Sequence, residues 1–99
     1  MEQTVKKDKE LMIKSITGLL KPRGFIPSCT PLVYTGLSIL ETEYQVDLRG
    51  NNCKVYVRGE VSRVWIRVES SLISTLNLKS FEERMDKRLN SKDPDDRYF

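Results

Sequence analysis

The run ETEYQVDLRGNNCKVYVRGEVSRVWIRVE, residues 41–69, decides the fold. Across its first strand Leu40, Thr42, Tyr44, Val46 and Leu48 alternate with Glu41, Glu43, Gln45, Asp47 and Arg49. That period of two belongs to a strand with one face buried and the other in water. Gly50-Asn51 then suits a two-residue hairpin loop. Pairing about it sets Leu48 against Cys53, Val46 against Val55 and Tyr44 against Val57 on the apolar face. On the polar face Asp47 meets Lys54 and Glu43 meets Arg58. Opposite charges therefore fall opposite each other, each such pair contributing roughly 0.2–1 kcal/mol.

A second turn at GEVS returns the chain through residues 63–69. There Val64, Ile66 and Val68 alternate with Arg63, Trp65, Arg67 and Glu69. A four-residue loop places Tyr56 across from Trp65, and Val57 and Val55 across from Val64 and Ile66. The only tryptophan of the chain thus sits on the side expected to face water.

Upstream, Val5, Met12, Ile13, Ile16, Leu19 and Leu20 form one stripe at helical spacing and predict a helix over residues 4–20. Pro22 and Gly24 end it. FIPSCTPLVY carries Pro27 and Pro31, which suit a connector and an edge strand near residues 32–34, with a turn at Thr35-Gly36. Downstream, SSLISTLNL is ambiguous and fits a short helical turn. SFEERMDKRLN reads as a second helix, with Ser80 and Glu83 as a capping box and Phe81, Met85 and Leu89 as its apolar stripe. Residues 91–99 have no period and are expected to be a flexible tail behind one domain of residues 1–90. The expected fold class is α+β: an N-terminal helix, an antiparallel meander of three to four strands and a C-terminal helix, in two layers.

Composition excludes more than it suggests. There is no histidine among the 99 residues, which removes the usual imidazole metal ligands, the Ser-His and Cys-His pairs and the commonest acid–base catalyst. Cys29 and Cys53 stand apart from any CxxC motif and are expected to be reduced, buried thiols. The paired Glu41 and Glu43 serve more simply as partners for cross-strand cations than as catalytic carboxylates. Gly50 and Gly59 belong to turns, not to a phosphate loop. We expect no enzyme, no cofactor and no metal site. No stretch is long and apolar enough for a membrane span, nor does the charged MEQTVKKDKE suit a signal peptide, so a cytoplasmic protein is expected. The order α-β-β-β-α resembles the double-stranded-RNA-binding domain in topology alone. Where that family places a lysine cluster at the start of its second helix, this chain has Glu82 and Glu83.

What remains is the polar face of the sheet. Lys54, Tyr56, Arg58, Arg63, Trp65 and Arg67 form a basic, aromatic patch beside the acidic strand with Glu41, Glu43 and Asp47. Three readings stand. The C-terminal helix covers the patch, with Phe81 and Met85 on Trp65. Or the patch binds a protein partner or a second copy, because interfaces are rich in Trp, Tyr and Arg. Or it stacks bases on Tyr56 and Trp65 while the arginines hold phosphates. The expectation is a small non-enzymatic accessory protein, an adaptor or inhibitor of a cell, virus or mobile element. It acts through this patch or as a homodimer, with nucleic-acid binding as the alternative.

Overall fold

The computed structural model describes residues 2–91, with side chains from residue 9 onward. Helix α1 spans Glu2–Leu20. It passes into a short 3-10 turn, Lys21–Arg23, with Pro22 in its first positions. Gly24 closes the exit at φ +85°, the left-handed region that a side chain rarely adopts. The strands follow as β1 (Ile26–Pro27), β2 (Val33–Leu37), β3 (Glu43–Asp47), β4 (Asn52–Arg58) and β5 (Trp65–Leu72). A 3-10 turn, Ile73–Thr75, leads into helix α2, Leu78–Leu89. All five strands are antiparallel and lie in the order of the chain.

The sheet thus has five strands where three to four were expected. The stretch that the sequence suggested as an edge strand is not at the edge, since β1 pairs outside β2. Nor is Thr35-Gly36 a turn: both residues lie within β2, opposite Gln45 and Tyr44. Packing explains the glycine. A Cβ at Gly36 would stand 2.9 Å from the Phe25 ring, so the glycine lets that ring lie flat on the sheet.

The β3–β4 register is the expected one, with Tyr44 opposite Val57, Val46 opposite Val55 and Asp47 opposite Lys54. The β4–β5 register is not. Arg58, not Tyr56, stands opposite Trp65, and Val57 meets Ile66. The connection runs over residues 59–64 and is closed by Gly59 N–H to the Val64 carbonyl (3.0 Å) and Arg63 N–H to the Gly59 carbonyl (2.9 Å). Further along, the pairing slips by one residue between Val55 and Tyr56, leaving Val68 as the extra residue of a β-bulge. The slip turns Glu69 to the opposite face from Trp65, opposite Val55, and this corrects the simple alternation expected for residues 63–69.

Both helices pack on one face of the sheet. Ile16 and Leu20 of α1 and Phe81, Met85 and Leu89 of α2 join Tyr44, Val46, Val55 and Val57 in a single buried cluster. Removing such side chains from water contributes about 1.5–3 kcal/mol each. The α2 stripe is the one expected, but its cap is Asn77, whose side-chain oxygen accepts from the Ser80 N–H at 3.1 Å, not Ser80 itself. Two ionic ties hold α2 in place. Arg23 donates to Asp86 (2.6 and 2.9 Å), to Glu82 (3.1 Å) and to the Leu19 carbonyl (2.7 Å). From the sheet, Glu69 accepts from Arg84 at 2.7 Å and lies 3.7 Å from Arg88.

Cys53 is buried as expected but Cys29 is exposed, and both thiols are free. Val5 of the α1 stripe and residues 92–99 of the expected tail fall outside the described side chains.

Candidate functional site on the outer face of the sheet

Strand geometry fixes what the outer face carries. Along β4 the buried residues Cys53, Val55 and Val57 alternate with half-buried Lys54, Tyr56 and Arg58, which therefore point away from the helices. Trp65 opposes Arg58 and Arg67 opposes Tyr56, so both join that outer face. The helices lie on the other side, and among the described residues no helix covers Trp65. The expectation that Phe81 and Met85 cover the tryptophan is corrected, since both are buried in the inner core.

Five of the six patch residues named from sequence are thereby brought onto one surface. Arg63 is set apart: it belongs to the β4–β5 connection, at φ +60°. It still borders the patch, because its carbonyl accepts from Arg58 Nε at 3.4 Å. With Glu41, Glu43, Arg58 and Glu60 it lines a depression of about 130 Å³ at that end of the sheet.

Some cations of the face are countered. Arg58 lies 3.5 Å from Glu43 on β3 and its guanidinium stands 5.8 Å from the Trp65 ring centroid, a cation–π contact. Asp47 accepts from Arg49 through Nε at 3.0 Å and Nη2 at 2.8 Å. These bonds hold the Asp47 carboxyl below the usual carboxylate range, and the charge of Lys54 across the strand pair adds to the effect. Lys54 and Arg67 form no ion pair among the described residues.

Sequence reading missed the other half of this surface. Ile26 on β1 and Leu37 on β2 are exposed, and both stand on the outer face, opposite Thr35 and Glu43 respectively. With Thr35 and Glu43 they border a shallow depression of about 380 Å³ that Arg23 also reaches. The available signal was the alternation in VYTGL, which the supposed turn at Thr35-Gly36 obscured. The face is thus apolar and acidic over β1–β3, basic and aromatic over β4–β5.

Among the described residues, no group of three or more Cys, Asp or Glu side chains is placed to hold a metal ion. In the same residues no helix is long and apolar enough to cross a membrane. No family model matches this sequence, and neither a curated protein nor a solved structure matches the chain.

Proposed function

We propose that this chain is a non-enzymatic, protein-binding accessory domain whose docking surface is the outer face of β4 and β5. The observation that carries the reading is the one-sided placement of the helices, which leaves Tyr56, Arg58, Trp65 and Arg67 together on a face that helps to bury no core. Aromatic and arginine side chains are the residue types that dominate protein interfaces. Charge favours a protein over a nucleic acid as the partner. A phosphate-binding groove requires cations free to meet phosphates, whereas here Arg58 is shared with Glu43 and Lys54 stands opposite Asp47. Carboxylates of β3 set among the cations suit a partner that also carries both signs. The free thiols, one of them exposed, fit a reducing compartment, and we take it to be the cytoplasm.

The test uses Trp65, the only tryptophan. Its emission is followed during titration with single- and double-stranded DNA and RNA at low and physiological salt. In parallel, a photo-crosslinking amino acid at position 56 is compared with one at exposed Lys79 of α2 in cells. The expected result is no salt-sensitive change with any nucleic acid, together with a defined protein adduct from position 56 alone that disappears in Trp65→Ala. Salt-reversible quenching by nucleic acid, or equal adducts from both positions, overturns the proposal.

A further inference from the structure

Regular alternation along β5 would set a carboxylate in the middle of the basic face. With Arg67 opposite Tyr56 and no interruption of the pairing, Glu69 would stand opposite Lys54 and pair with it. The bulge at Val68 prevents this. Its extra residue brings Ser70 opposite Lys54 and turns Glu69 to the helix side, where it meets Arg84 at 2.6 Å.

Four side chains are left as neighbours on the outer face: Lys54 and Tyr56 of β4, with Ser70 and Arg67 opposite them on β5. Each carries a hydrogen-bond donor. Among the described residues none of the four donates to an acceptor through its side chain. Ser70 Oγ instead accepts from Asn52 Nδ2 at 3.2 Å, which leaves its own proton to give. The charge of Lys54 acts on Asp47 across the strand pair, but the Asp47 oxygens are held by Arg49 at 3.0 and 2.8 Å. Opposed residues of an antiparallel pair lie about 4.5–5.5 Å apart at Cβ, a span that one oxyanion group can bridge. The face thus holds a block of two cations and two hydroxyls from which the fold has withdrawn the nearest acceptor.

We propose that this block is an oxyanion seat, filled by a carboxylate of the protein partner. The seat presupposes the docking reading and names what the partner carries there. Negative charge on the β3 side favours a carboxylate over a phosphate group. Asp47 lies opposite Lys54, and Glu43 stands 3.5 Å from Arg58, so a doubly charged group is opposed more than a singly charged one. Trp65, two residues from Arg67 on the same face, offers its ring to an apolar side chain beside the acid. The ligand class is therefore an acidic segment with interspersed apolar residues.

The experiment uses the full chain and a fluorescein-labelled Glu-rich peptide with interspersed Leu, followed by anisotropy at physiological salt. The peptide is expected to bind, and the same peptide with Gln for Glu to bind about tenfold more weakly, the loss of a charge-assisted hydrogen bond. Arg67→Gln is expected to weaken the Glu peptide by about tenfold and Arg67→Lys by less. Ser70→Glu, which restores the carboxylate that the bulge removes, is expected to abolish binding. Both positions are exposed, so circular dichroism and the urea midpoint should not change. Lys79→Gln removes the same charge from α2 and is expected to leave binding as it was. No binding of the Glu peptide, equal binding of the Gln peptide, binding that survives Ser70→Glu, or equal losses in Arg67→Gln and Lys79→Gln each overturns the proposal. Tighter binding with phosphoserine in place of Glu also overturns it, because a phosphate then fills the seat. None of these results touches the docking reading, which fails only through the nucleic-acid and crosslinking outcomes.

Discussion

The two faces of β4 are made from adjacent residues and do opposite work. Cys53, Val55 and Val57 are sealed beneath two helices, while Lys54, Tyr56 and Arg58 look away from them and remain half exposed. The difference between the faces comes from where the helices lie, not from the strand. With both helices on one side, the inner face carries the stability of the domain. The outer face is free to hold a tryptophan and several cations with little consequence for folding.

Four measurements would break or sharpen that contrast. The largest effect is expected for Phe81→Ala, because Phe81 is 1% exposed at the centre of the inner cluster. Its loss should cost about 3–5 kcal/mol, a large part of the roughly 5–15 kcal/mol a small domain has in total. A marked fall of the urea midpoint is the expected reading, and a change under about 1 kcal/mol would mean that α2 does not dock there.

Next comes Glu69→Ala. The Glu69 side chain is 12% exposed and holds two arginines of α2, which are themselves 41% and 32% exposed. Solvent weakens such a bridge, so about 1–2 kcal/mol is expected in place of the full cost of breaking a buried pair. If the bulge did not turn this carboxylate inward, the substitution would be silent in the same urea titration.

Trp65→Ala should cost less than about 1 kcal/mol, mainly its cation–π contact with Arg58 and some surface packing. A loss as large as that of Phe81→Ala would show that the outer face is a second core, and the contrast between faces would collapse.

The smallest effect is expected from pH. No histidine is present, so the melting temperature should be nearly flat between about pH 5 and 8. Below that window it should fall. Asp47 is depressed mainly by its bonds from Arg49, and Asp86 mainly by its bond from Arg23. The unfolded chain therefore takes up protons first, and the stability these carboxylates give is lost as pH drops through their folded values. Above the window burial pushes the Cys53 thiol up to about 12, so the unfolded chain loses this proton first. Stability should decline again once pH passes the ordinary thiol value of about 8.5. A steep slope between pH 5 and 8 would point to a further titrating site in the folded chain.

The two hairpins show how far sequence reading reaches. The β3–β4 register follows from Gly50-Asn51 and from charges that match across the pair. The β4–β5 register was displaced by two residues because its loop is closed by Arg63 at φ +60°, a conformation that no glycine or asparagine advertised. Thr35-Gly36 has the composition of a turn, yet Gly36 lies in a strand to admit the Phe25 ring. Cys29 was expected to be buried on the strength of its residue type, and it is exposed. Among the residues of the candidate face, Tyr56, Arg58, Trp65 and Arg67 were legible from alternation alone, while Ile26 and Leu37 were not.

By itself the sequence determined the fold class, both helices, the first hairpin and the outward direction of Trp65. Each of these follows from local periodicity, which reports the sides of a strand or helix that are apolar. Tertiary structure alone decided the fifth strand, which face of the sheet α2 covers, the bulge at Val68 and the inward turn of Glu69. These depend on contacts between segments distant in the chain, where a ring over a glycine or an arginine from α2 outweighs the preference of any single stretch.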